Sequence, residues 1–130
     1  MPMFGWRFAA WLALVLAGGL PAAAVEQTVQ IQAASAQGAV IRVLDKVTGA
    51  ITDVEIARGQ TKVIGRLIIV LGDCRYPVGN PNSDAWAWLD IRDDTLAVPV
   101  FGGWMTASSP ALNGLDHARY DVWVLRCSNS

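Results

Sequence analysis

Near the C-terminal end, in "GWMTASSPALNGLDHARYDVWVLRC", two adjacent serines, Ser108 and Ser109, precede the sole histidine, His117, and two aspartates, Asp116 and Asp121. These are the residue types of a serine hydrolase: a hydroxyl nucleophile, an imidazole base and a carboxylate to orient it. The flanking residues favour a structural reading. Nothing in "TASSPALN" matches the G-x-S-x-G elbow that exposes a nucleophilic serine on a strained turn. Ser109 before Pro110 instead has the form of an N-cap followed by proline at the first helical position. Ala111 and Leu112 complete one turn and Gly114 ends it. The segment is expected to be a capped single helical turn sealing one end of a barrel or sandwich, with His117 a hydrogen-bonded loop residue. No catalytic residue is assigned. Ser108 or Ser109 with His117 and Asp121 is the set that a small serine hydrolase, the rival reading, would use.

The aromatic residues suggest binding chemistry. Trp86 and Trp88 lie two apart in "AWAWLDIRD", so on a strand they project from one face, with Asp90 and Arg92 beside them. Ala85, Ala87, Leu89 and Ile91 take the core side. Paired indoles on a half-wetted face can stack on a sugar ring or anchor a partner protein. They can equally pack beneath the neighbouring loop "RYPVGNPNSD", whose Tyr76 joins them as a binding-surface candidate. Trp104 and Trp123 are expected in the core. Asp90, Asp93 and Asp94 lack the glycine and terminal glutamate of a calcium loop and read as turn residues. Two distant cysteines and one histidine lack the ligand spacing of a zinc site. Neither a metal nor a cofactor is expected.

The elements that must position these groups are strands. "AVIRVLD", "AITDVEIA", "TKVI", "LIIVLGDC" ending at Cys74, "AWAWLDIRD", "TLAVPVFG" and "YDVWVLRC" are short apolar or alternating runs, separated by turns at Gly49, Gly59 and "GR". Pro99 argues for an edge or a bulge. Apolar residues in both phases of the last strand indicate cover on both sides. The fold class expected is all-β, a small antiparallel sandwich or barrel, with one short capped helical turn near the C-terminus and an N-terminal signal helix. Ahead of the strands, "MPMFGWRFAAWLALVLAGGLPAAA" has Arg7, an apolar run from Phe8 to Leu20, helix breakers, and Ala22 and Ala24 before Val25. This is the pattern of a cleavable signal peptide, and the run is short of the roughly 20 residues of a membrane span. The domains expected are therefore a signal peptide over 1–24, a flexible leader over 25–38 with a short strand over Thr28 to Gln32, and a single β domain over 39–130. In the oxidising space outside the cytoplasm, the two cysteines, Cys74 and Cys127, are expected to form a disulfide. Losing Arg7 takes the formal charge of −1 one unit lower. A mildly acidic domain without a basic cluster is a poor partner for nucleic acid or anionic lipid.

Three stretches, "LDKVTG" from Leu44, "GWMTASSPAL" from Gly103 and "LDHARYDVWVLRC" from Leu115, resemble a family of small exported proteins found mainly in alphaproteobacteria and catalogued as domain of unknown function 2155. The resemblance spans about residues 39 to 127, and Cys74 matches the family's first cysteine. It implies an envelope protein and carries no catalytic residue with it. "RYPVGNPNSD" and Trp86 fall outside its motifs. The expectation is a periplasmic, non-enzymatic binding or scaffolding module whose partner is an envelope protein or peptidoglycan, with no membrane span once the signal is removed. A third reading is an accessory subunit docked on the periplasmic side of a membrane complex.

Overall fold

Ala39, Ile41 and Val43 alternate with Val40, Arg42 and Leu44, and the first three are at most 2% exposed. That alternation makes the segment a strand with one face in a core. The computed structural model describes residues 32–129. The expected signal helix over 1–24 and residues 25–31 of the leader lie outside them. The strands are β1 (Ala33–Ser35), β2 (Gly38–Asp45), β3 (Ile51–Ala57), β4 (Thr61–Ile64), β5 (Leu67–Pro77), β6 (Trp86–Asp93), β7 (Pro99–Thr106) and β8 (Tyr120–Ser128). All pairings are antiparallel.

Two sheets result. One has three strands in the order β3-β2-β8. The other has five: β5, β6 and β7 lie side by side, and β1 and β4 share the far edge of β5. Thr61–Ile64 pairs with the first part of β5 and Ala33–Ser35 with its last residues. The inner faces meet in one core of Ile41, Ile56, Leu67, Ile69, Leu71, Leu89, Ile91, Val122 and Val124. Each such side chain contributes roughly 1.5–3 kcal/mol by leaving water. The all-β antiparallel expectation holds, as two stacked layers. Among the described residues no helix is long and apolar enough to cross a membrane.

Several local expectations are corrected. The leader does not stay outside the domain: β1 lies within it, and Ala36 is 1% exposed. β5 does not end at Cys74. A bulge between Leu71 and Asp73 resets its register and lets it run on to Pro77, so Arg75 and Tyr76 are strand residues rather than loop. The expectation for Pro99 holds: it opens β7, an edge strand whose register shifts opposite Ile91 and Arg92, where a residue without an amide donor fits. The helical turn is a 3-10 turn over Pro110–Leu112, and Ser109 makes no side-chain cap. Leu112 is 78% exposed, so it plugs nothing. Asn113 fastens the turn instead, donating from Nδ2 to the Trp104 carbonyl at 2.9 Å.

Cys74 and Cys127 form a disulfide, with Cα atoms 5.7 Å apart and a sequence separation of 53. It ties β5 of the larger sheet to β8 of the smaller one.

Candidate functional site

At one end of the sandwich the motif residues interlock. The β2–β3 turn begins at Asp45, whose Oδ1 accepts the amides of Val47 and Thr48. Arg119 donates to the same carboxylate from Nε and NH2, at 3.1 and 2.9 Å to Oδ2. This forked contact from Arg119 holds the Asp45 carboxyl down at about 2, against the upward push of burial. Lys46 donates to the His117 carbonyl at 2.7 Å and lies 3.5 Å from Asp121. His117 is a buried side chain whose Nδ1 accepts the amides of Arg119 and Tyr120 at 2.9 and 3.2 Å. Its ring proton therefore sits on Nε2 and is donated to Asp93 Oδ2 at 2.8 Å. Asp93, 2% exposed at the inward end of β6, also takes the hydroxyl and amide of Thr95 at 2.6 and 2.9 Å. The Thr95 contacts first, and then His117, hold its carboxyl well below the usual carboxylate range, although burial opposes them. The guanidinium carbons of Arg119 and Arg66 lie 5.4 and 6.0 Å from the centre of the Tyr120 ring, whose Oη accepts the Arg66 amide at 3.2 Å.

Ser108 is at the other end. Its amide and hydroxyl both donate to Asp84, at 3.0 and 2.7 Å. Asp84 precedes β6 and Asp93 closes it, which separates the serine from the imidazole by roughly 25 Å at the usual rise of a strand. Ser109 is half-buried beside Ser108, Asp116 is exposed, and Asp121 faces Lys46. The structure thus does not assemble Ser108 or Ser109 with His117 and Asp121. An imidazole whose Nδ1 holds two amides and whose Nε2 proton is committed to Asp93 has no lone pair to offer a hydroxyl. Asp90, Asp93 and Asp94 do not converge either. Among the described residues no group of three or more His, Cys, Asp or Glu side chains is placed to hold a metal ion.

The feature with chemistry left over is the outer face of the five-stranded sheet. Trp88 on β6 pairs with Trp104 on β7, and their rings meet edge to face, with centroids 5.5 Å apart and planes at 82°. Trp86 follows on the same face of β6, opposite Arg75 on one side and Thr106 on the other. Arg75 reaches across so that its guanidinium carbon lies 5.8 Å from the Trp104 ring centre. It is braced by Asp73, 3.0 Å from its Nε. Burial pushes the Asp73 carboxyl up, but Arg75 and Ser35 outweigh it and hold it below its ordinary value. The Trp88 indole donates to Asp90 Oδ2 at 3.3 Å, and Arg92 is exposed beside it. Trp86 and Trp88 are half-buried and Trp104 is 38% exposed.

Three sequence assignments change here, those of Trp104, Tyr76 and Trp123, the last because Val122 and Val124 take the inward phase of β8. Trp104 is on the surface, not in the core, because its neighbours Gly103 and Met105 take the inward phase of β7. Tyr76 turns the other way and packs against the core: the bulge moves the inward phase of β5 from Leu67, Ile69 and Leu71 to Cys74, and alternation carries it on to Tyr76. Trp123 is half-buried on the outer side of the three-stranded sheet, across from Arg42. Sequence reasoning also missed Arg75 and Gly72. A β-carbon at Gly72 would lie 2.7 Å from Trp88 Cδ1, so the bare backbone of the bulge is what lets this indole lie across β5. The visible signal was a glycine interrupting the apolar run "LIIVLGDC".

A family described as "Uncharacterized protein conserved in bacteria (DUF2155)" matches residues 39–127. The uncharacterized protein RP359 of Rickettsia prowazekii (strain Madrid E) is 27% identical over 87 residues, a match covering 65% of this chain and 56% of that relative. The chain thus spans little more than half the length of that curated relative. No solved structure matches.

Proposed function

The chain belongs to the bacterial family of domain of unknown function 2155, and from that premise we propose that it is a non-enzymatic binding or scaffolding module of the cell envelope, working in the periplasm, whose contact surface is the outer face of its five-stranded sheet. The observation that carries this reading is the Trp88–Trp104 corner, its Trp104 exposed and its Trp88 half-buried, with Arg75 and Asp90 at its rim. Tryptophan and arginine are the side chains that concentrate binding energy at contact surfaces, because each combines a large rigid area with directional polar groups. The titratable groups of the motifs, by contrast, are spent on one another: Asp45 with Arg119, Lys46 with Asp121, His117 with Asp93. A disulfide between the two sheets suits an oxidising compartment.

The test is face-specific crosslinking in living cells, with a photoreactive residue replacing Thr106, opposite Trp86 on this face, or Ile51 on the outer side of the three-stranded sheet. Adducts to envelope material from position 106 and none from position 51 are expected. Equal labelling from both positions, or none from 106, would overturn the proposal. So would recovery of the protein from the cytoplasm with its thiols free.

A further inference from the structure

Resting on that reading of the outer face, we infer that the ligand of the Trp88–Trp104 corner is a glycan, bound through the apolar face of a pyranose ring. Two indole planes at 82° make a step: Trp104, 38% exposed, is the ring that a ligand reaches, and the half-buried Trp88 bounds it. A pyranose presents C–H bonds on its faces and hydroxyls around its edge. It therefore matches a ring face flanked by polar groups better than an apolar side chain does, since the latter leaves those groups unpaired. The flanking groups have the needed character. Asp90 uses Oδ2 for the Trp88 indole, while its Oδ1 is 3.3 Å from where a β-carbon of residue 102 would stand. With glycine at 102 that oxygen is uncrowded, ready to accept from a sugar hydroxyl. Arg75 and Arg92 supply donors on the same face. Hydroxyls both donate and accept, and a rim carrying a carboxylate and guanidinium groups satisfies both roles. The site is an open surface: Trp104 is 38% exposed, and Arg75, Asp90 and Arg92 are exposed around it. An open step admits a long polymer anywhere along its length.

The experiment is co-sedimentation of the full chain, recovered from the envelope, with purified peptidoglycan sacculi, with chitin and with cellulose, plus tryptophan fluorescence titrated with soluble chitin oligosaccharides. Retention on at least one polymer is expected, with an indole emission shift that Trp123→Ala keeps and Trp104→Ala loses. Sacculi alone mark the cell wall as the source; all three polymers mark pyranose chains in general. Trp104→Ala is expected to weaken retention at least tenfold. Gly102→Asn, which crowds Asp90 and leaves every indole in place, is expected to do the same and keeps the test decisive if Trp104→Ala fails to fold. No retention on any polymer, or retention unchanged in Gly102→Asn, overturns the inference. Face-specific protein adducts from position 106 alongside no glycan retention sink the glycan alone and leave the binding-module reading standing; failure of both sinks both.

Discussion

His117 shows how a residue that resembles a catalytic base is employed as a fastener. It sits between strands of different sheets, its ring accepting two amides at the entry to β8 and donating to Asp93 at the end of β6. Removing it takes the hydrogen bond from Asp93 Oδ2 and leaves two amides unpaired, so His117→Ala is expected to cost on the order of 2 kcal/mol in urea unfolding while leaving any ligand retention intact. A loss of binding without a loss of stability would return the residue to a functional role. The neighbouring Asp45 predicts the acid limb of stability. Its native carboxyl titrates at about 2, held down by Arg119, whereas an unfolded aspartate titrates near ~3.9. Between these values the unfolded chain binds more protons, so stability rises with pH. The contribution is complete above the unfolded value and disappears as pH falls toward the native one. Asp93, shifted in the same direction, adds to the same limb. Asp45→Asn should therefore lie below the parent protein at pH 7 and converge on it between about pH 4 and pH 2. A gap in urea midpoint that stays constant down to pH 2 would contradict this pairing.

At the scale of elements, two glycines decide how strands meet. Gly65, in the β4–β5 turn, has φ +60, and a β-carbon there would collide with Tyr120 Oη. The short turn and the first residue of the last strand are thus fitted to each other. Gly65→Ala is expected to destabilise by about 2 kcal/mol, from the left-handed backbone and the clash together. Tyr120→Phe removes the clashing oxygen, so the double variant should cost less than the two single costs added, and a strictly additive cycle would refute the fit. Gly72→Ala is expected to push Trp88 off β5 and change the near-ultraviolet circular dichroism from the Trp88–Trp104 pair, with far-ultraviolet signal retained. How far these arrangements were legible follows from their physics. The strands were readable because alternation and turn residues are local: Ala87, Leu89 and Ile91 face inward as their spacing requires. Trp104 was misplaced because its exposure depends on register against β6, a non-local property. Tyr76 was misplaced by a bulge, which reverses phase after one extra residue. The partners of His117 and Ser108 were unreadable for the same reason: each pairs with an aspartate 24 positions away.

For the whole molecule, the decisive contact is the one between layers. Each sheet alone has one apolar face, and three strands such as β3-β2-β8 are marginal without cover. The layers are joined by core packing, by the polar end at Asp93 and His117, and by the Cys74–Cys127 bond. That bond closes a loop of 53 positions that contains the whole of β6 and β7. On the chain-entropy account a closure of this length disfavours the unfolded ensemble by about 4 kcal/mol, a large fraction of the 5–15 kcal/mol that a small domain commonly has. Because the bond joins the sheets at the end of β5 that also carries Arg75, its loss bears on the binding face as well as on stability. The double variant Cys74→Ala/Cys127→Ala is expected to unfold at markedly lower urea and to match the parent protein under reductant. Trp104 fluorescence should report loosening before the far-ultraviolet signal falls, since β7 is an edge strand. If reductant left the urea midpoint of the parent protein unchanged, the covalent tie would be dispensable. The packed core and the Asp93–His117 contact would then hold the two layers together unaided.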